Sequence, residues 1–338
     1  MSMQPTQIDP ELQALFDQIL ADWRVRRADG EHATDLDREL WQTLSNAGIT
    51  SLLSGGHGAG WLEASALLRT TASHAAPVPL AEHDALAGWL LARAGLPMDE
   101  NPRTAAVLDS AGGASRVPWA SQVDSIVVAW RGPEGTELVA DVPRAQFRIE
   151  QGRDIAGQPR DAIRIDVDGL AGTAVPDGSI DQLALRGSLA RCAQSIGAME
   201  RALELSIEHA GARHQFGRPI AAFQAVQQLI ARSTGEAALA RAAVEAAVLS
   251  ASDGSVTERW VGAARSVVGH AASQVVRDTH QVLGALGTTL EHELREHTRP
   301  LLAWQQEFGS LSSWDERLAQ MLVDSGETVW DTIVPVVR

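Results

Sequence analysis

The feature that most constrains this chain is a change of hydrophobic period. Before about residue 100, and again from residue 180, apolar residues recur at helical spacing; in between they fall in short Val- and Ile-rich runs broken by Gly, Pro and Asp. The runs AAVLD, DSIVVAW, TELVADV, QFRIE and AIRIDVD read as about five strands of a small antiparallel region. No long helical pattern interrupts them, which argues against a doubly wound sheet. The chain is therefore expected to be mainly α. A helical domain would occupy residues 1–100, a reduced β-domain 101–178, and a helical bundle 179–338.

In the first part, Pro10 opens a helix with Leu12, Leu15, Phe16, Ile19, Leu20 and Trp23 on one stripe. Thr34 and Asp35 are placed to cap a second, ending at Gly48. Two more amphipathic helices, WLEASALLRTTASHA and HDALAGWLLARAG, are separated by the turn-forming PVPL. The glycine-rich SGGHGAG (54–60) follows a helix end rather than a strand, so it reads as a connection and not as a dinucleotide-binding turn. In the last part the spacing predicts helices over 181–212, 222–252, 256–284, 288–299 and 312–325. The first carries Leu185, Leu189, Ile196, Met199, Leu203 and Ile207 along one stripe. Antiparallel helices of this length pack as a bundle.

Composition excludes several functions. The formal net charge is −15 and the acids are spread along the chain, which argues against a nucleic-acid partner. The single cysteine, Cys192, lies in an apolar helical run and reads as a small core residue, not a nucleophile. There is no basic-then-apolar leader and no membrane-length apolar run, so the expected location is cytoplasmic. The stretch EHELREH (291–297) invites a metal reading. However, His292 and His297 are five apart, about 140° around a helix, so no metal site is expected and these read as solvated charges.

Two further segments carry chemistry. The run RHQFGRPIAAFQAVQQ (213–228) lies between the first two bundle helices, and QVLGALGTTLE (281–291) follows the third. Alone, Arg213 and Gln224 would read as ordinary cap and surface residues. Together and in this order, the segments closely resemble the R-x-Q-F-G-x-P-I-x-x-F-Q-x-x-Q and Q-x-x-G-G-x-G-x-x-x-E blocks of the acyl-CoA dehydrogenase superfamily. LWQTLSNAGITSLL (40–53), PVPLAEHDALAG (77–88) and Arg299 also fit, although Pro300 stands where the family has Asp. The α–β–α order is the family's, and the resemblance covers nearly the whole chain.

The resemblance implies an FAD cofactor. Arg213 would grip its pyrophosphate across a subunit interface, because a guanidinium offers a bidentate fork to phosphate. Phe216 and Phe223 would lie against the flavin or its adenosine side, and Gln224 would bond the adenine end. Gln281, Gly284 and Ala285 would let the backbone approach closely; Ala285 departs from the family's Gly. The implied reaction introduces an α,β double bond into an acyl-CoA thioester, with electrons passed to an electron-transfer flavoprotein.

Such chemistry needs a carboxylate base. The family has two places for it. Counting back from Arg213 gives Gly187; counting forward from Gln281 gives Phe308, with Glu307 one residue earlier. Glu307 is therefore the candidate catalytic residue, provided its loop is re-registered; otherwise it is a solvated loop acid. The family's flavin-facing T-E-P-x-x-G-S-D stretch is also missing from GGASRVPWASQVDSIVVAW. These departures resemble the shortened subunit of bacterial α2β2 acyl-CoA dehydrogenases of the steroid side-chain type. The partners implied are a full-length subunit, or a second copy in a homodimer. The alternative reading is a non-catalytic partner that completes the FAD site of the full-length subunit.

Overall fold

The computed structural model describes residues 8–27, 34–56, 58–251, 255–289 and 291–326. His57 of the glycine-rich turn, Ser252 at the expected end of a helix, and Leu290 lie outside them. The chain opens with α1 (Pro10–Arg26), α2 (Arg38–Asn46) and α3 (Trp61–Ser73). Asp9 and Asp37 cap the first two, their carboxylates accepting from Glu11 N and Leu40 N. The cap of α2 is thus Asp37 rather than Thr34 or Asp35.

The segment expected as a second amphipathic helix is instead a π-helical turn (Ala81–Gly88) continued by α4 (Trp89–Ala94). It is buried on every side of its first part, including Glu82, His83 and Asp84. Most of their polar atoms are hydrogen-bonded, as burial requires; His83 Nε2 has no partner among the described residues. Asp84 accepts from Leu53 N, Ser54 N and the Ser54 hydroxyl, and His83 Nδ1 accepts from Arg103 N.

The β-region holds seven strands rather than five: β1 (Arg103–Val107), β2 (Gly113–Pro118), β3 (Ser125–Arg131), β4 (Glu137–Pro143), β5 (Arg148–Glu150), β6 (Arg160–Arg164) and β7 (Thr173–Ala174). They form two sheets, ordered β1-β3-β4-β7 and β2-β6-β5. The pairing is antiparallel as expected except at one pair, where β1 runs parallel to β3. The strand β2 lies in the stretch where no flavin-facing motif was found, and its pairing with β6 is irregular between Ala114 and Val117. Ile126, Val128 and Trp130 of β3 fill the core between the sheets, while Val127 and Ala129 pack on Leu90 and Leu91 of α4. Alternate residues of one strand thus serve two cores.

Then come α5 (Ser179–Ala212), the short strands β8 (His214–Gln215) and β9 (Arg218–Pro219), α6 (Gln224–Ser250), α7 (Glu258–Leu283), α8 (Leu294–Trp304) and α9 (Leu311–Ser325). Helix α5 is buried around most of its circumference between Leu183 and Ala202, as expected of a helix packed on several sides. A Cβ on Gly197 would overlap the Arg69 carbonyl, so glycine sets how closely α3 approaches α5. Ile207 leaves the expected stripe and is 51% exposed.

Helix α8 corrects another expectation. It starts at Leu294, not Thr288, and runs through Pro300 to Trp304. Proline there removes a helical donor, but Leu294, His297 and Leu301 are fully buried and hold the helix in place. The EHELREH charges are not all solvated either. His297 is buried, and Glu293 and Glu296 bind Arg24 of α1 at 2.9 and 2.7 Å. Phe16, Leu20 and Trp41 share one continuous core with Leu189, Met199, Val275 and Leu294, so the N-terminal helices and the bundle are packed as one body.

Candidate functional site

The residues expected to contact a cofactor gather at one end of the bundle. Helix α5 ends at Arg213, whose N–H donates to the His209 carbonyl and whose own carbonyl accepts from Ile220 N. This pins the β8–β9 hairpin across the start of α6. Arg232 and Ser233 of α6 both donate to Asp278 of α7. The two helices run antiparallel, so Gln224 at the start of α6 and Gly284 just beyond α7 lie at the same end.

The side chains at this end point outward. Arg213 is exposed, and among the described residues its guanidinium has no hydrogen-bond or ion-pair partner. Phe216 and Gly217 form the hairpin turn with φ of 53° and 78°. Left-handed backbone is unfavourable for a bulky side chain, yet the phenyl is 91% exposed. Its contact within the chain is an edge-on one with Phe223, 6.1 Å between ring centroids, and Arg218 lies over the Phe223 ring at 4.3 Å. A strained, exposed phenylalanine gains little from its own fold. Gln224 and Gln281 are exposed as well. Gly284 follows α7 with φ 61°, a conformation glycine adopts without strain, and its N–H donates to the His280 carbonyl. Among the described residues beyond its chain neighbours, nothing lies within 4 Å of where its Cβ would be, so the backbone there is open from outside. Ala285 beside it is exposed.

The two places counted for a base meet in space, on opposite sides of one contact. The distal edge of the Phe308 ring lies against Gly187, and a Cβ at residue 187 would overlap it. Neither position offers a carboxylate, and the space between them is filled by phenyl.

Glu307 faces elsewhere. Its two oxygens accept from Arg160 Nε and Arg191 Nε, each at 2.7 Å. The side chains of Glu307, Arg160 and Arg191 are 9%, 2% and 3% exposed. Burial pushes the Glu307 carboxyl up, but the guanidiniums of Arg191 and Arg160 outweigh it and hold it at about 2. Arg191 also binds Glu82 and donates to Gln194 Oε1. Burial would lower its pKa, yet Glu307 and Glu82 together drive it upward. The cluster ties the β-region (Arg160), the π-helical turn (Glu82), α5 (Arg191) and the loop after α8 (Glu307).

That loop is fixed as well. Arg265 donates to the carbonyls of Glu307 and Gly309, both at 2.9 Å, while Ser188 and Trp314 donate to the Phe308 carbonyl. The re-registration that a catalytic Glu307 requires would break these bonds. Glu82, Arg160 and Arg191 were not anticipated. The one signal available was a pair of arginines, Arg186 and Arg191, inside an otherwise apolar helical run.

Among the described residues no helix is long and apolar enough to cross a membrane. Residues 183–310 match the family described as "Acyl-CoA dehydrogenase, C-terminal domain". The chain is 32% identical over 236 residues to acyl-CoA dehydrogenase FadE27 of Mycobacterium tuberculosis, covering 58% of this chain and spanning 62% of that relative. Two solved structures share the fold over nearly the full length. The ChsE4–ChsE5 complex of Mycobacterium tuberculosis matches with a TM-score of 0.84 and 21% identity, over 96% of this chain and 100% of that one. A variant of the Tcur3481–Tcur3483 steroid ACAD matches with a TM-score of 0.81 and 23% identity, over 93% and 97%.

Proposed function

We propose that this chain, whose residues 183–310 match the acyl-CoA dehydrogenase C-terminal domain, is a subunit of a FAD-dependent acyl-CoA dehydrogenase whose catalytic base resides in a full-length partner. The observation that carries this reading is the contact of Phe308 with Gly187, which fills the one place where both of the family's base positions converge.

The outward-facing end fits FAD. Arg213 is exposed and uncommitted, as a pyrophosphate clamp must be. Phe216 and Phe223 offer aromatic surface, Gln224 an amide for the adenine end, and Gln281, Gly284 and Ala285 an accessible backbone. When bound, FAD supplies the hydride acceptor. What this chain contributes is grip and orientation for a cofactor whose reactive ring lies with the partner. Glu307 is not well placed as base: a base needs a free lone pair toward the substrate, and both Glu307 oxygens are held by guanidiniums. The two-component ChsE4–ChsE5 and Tcur3481–Tcur3483 assemblies among the fold neighbours support an α2β2 arrangement over a homodimer, and the latter, a steroid ACAD, favours a steroid side-chain CoA thioester. An electron-transfer flavoprotein would accept the electrons.

The test is flavin retention. We expect the chain purified alone to be colourless and the co-expressed assembly to be yellow. Arg213→Ala should weaken FAD retention by about ten- to a hundredfold, the worth of a lost charged hydrogen-bond pair, without changing the chain's own unfolding. Flavin bound stoichiometrically by the chain alone, with turnover, would overturn the reading.

A further inference from the structure

A second feature lies away from the Arg213 end. A cavity of about 240 Å³ opens between α3, α5, α8 and the turns at Trp119 and 156–158 of the β-region. Its apolar wall is made by Ala72, Ala75 and Val78, with the indoles of Trp119 and Trp304. Its polar wall is cationic, in a chain whose formal net charge is −15.

The cations on that wall are not equally engaged. Arg191 is neutralised by Glu82 and Glu307, and Glu296 by Arg24 and Arg27. That leaves Arg295 and Arg299, one helical turn apart on α8 and both on the cavity. Among the described residues neither has a carboxylate at ion-pair distance or a hydrogen-bond acceptor. Arg295 Nε is buried without an acceptor, and so is the Nε1–H of Trp304, a residue only 5% exposed. Burial lowers the Arg295 pKa, and the like charge of Arg299 lowers it further. Unsatisfied buried donors cost free energy unless an acceptor arrives. Two guanidiniums at this spacing repel each other until an anion lies between them.

We infer that this cavity binds a small organic carboxylate, its anionic head between Arg295 and Arg299 and its apolar body between the indoles and the alanine wall of α3. The site shares no residue with the cofactor-facing end. Its test therefore stands or falls separately from the flavin reading.

The experiment titrates cyclohexanecarboxylate, with cyclohexanemethanol as the uncharged match, into the full chain by ligand-observed NMR. The expected result is saturable binding of the acid, with the alcohol at least about tenfold weaker, because the charge-assisted pair is the discriminating contact. Arg299 is exposed, so Arg299→Met should leave the thermal unfolding unchanged while weakening the acid about tenfold and the alcohol not at all. Arg295→Met should act in the same direction. Equal binding of acid and alcohol, unchanged affinity in Arg299→Met, or no saturation up to about 10 mM ligand would each overturn the inference.

Discussion

The bundle end around Arg213 and the cluster around Glu307 are built from similar residue types but used in opposite ways. At the first, Arg213, Gln224 and Gln281 are exposed, and Phe216 is held at positive φ with its ring 91% in solvent. At the second, Arg160, Arg191 and Glu82 are buried, the Glu307 side chain is 9% exposed, and its carboxylate is bonded at both oxygens. One region has affinity to offer a partner; the other has already satisfied itself. The difference teaches that retaining a family's cofactor block says little about retaining its chemistry. The block survives where it faces outward, and the interior is rebuilt as a clasp.

The strongest attack on that contrast is Glu307→Gln. If Glu307 were the base, the amide would fold normally and only turnover would fall. As the clasp, its loss leaves Arg191 with Glu82 and Arg160 with Asp154 at 3.4 Å as their remaining carboxylates, and removing the acid they share costs about 3 kcal/mol. Chemical denaturation of the chain should show that loss directly. The pH dependence gives an independent check. The Glu307 pKa is depressed from 4.5 to about 2 in the folded protein. Its contribution is therefore present in full above pH 4.5 and lost as pH falls through 2, amounting to about 3 kcal/mol. His297 acts in an earlier window. Burial first, then Arg24 and Arg201, lowers its pKa from 6.5 to about 3, so stability begins to fall as pH drops below 6.5. Glu307→Gln should flatten the step below pH 4.5 and leave the one below 6.5. An unchanged acid limb would break the contrast.

A smaller effect is expected at Gly187→Ala. The added methyl meets the Phe308 ring in a loop that Arg265, Ser188 and Trp314 hold in place. Overpacking of this kind costs about 1–3 kcal/mol. Adding Phe308→Ala should recover part of it, since the two side chains compete for one space. A neutral Gly187→Ala would mean that the space is not filled, and the argument against an internal base would lose its main support.

The legible parts of this molecule were those written in local periodicity. The change of period placed the helices and the β-region, and the Arg213 block lay between α5 and α6 as its spacing required. The β1–β3 parallel pairing was not legible, because strand direction is set by the crossover through β2 and not by the runs themselves. Nor was the end of α8, at Trp304 and not at Arg299. A proline ordinarily marks a helix end, and here buried Leu294, His297 and Leu301 override it. The Glu307 clasp was hidden for a different reason. Its arginines lie 147 and 116 positions away, so nothing near Glu307 distinguishes a clasp from a solvated acid. Residue counting found Gly187 and Phe308 but could not show that they touch.

The mildest prediction sharpens the exposed side of the comparison. Phe216 sits at φ 53°, in a turn where Asn or Gly is the usual occupant, and its side chain contacts little of its own chain. Phe216→Asn should therefore leave stability unchanged or raise it by a few tenths of a kcal/mol, because the strained backbone is relieved and only a partial edge contact with Phe223 is lost. FAD retention by the assembly should fall by about three- to tenfold, the worth of one aromatic contact of about 1 kcal/mol. Stability and retention moving in opposite directions is the signature of a residue kept for a partner. If Phe216→Asn instead destabilises the chain and leaves FAD retention intact, the phenyl serves the hairpin, and the Arg213 end is less outward-facing than its exposure indicates.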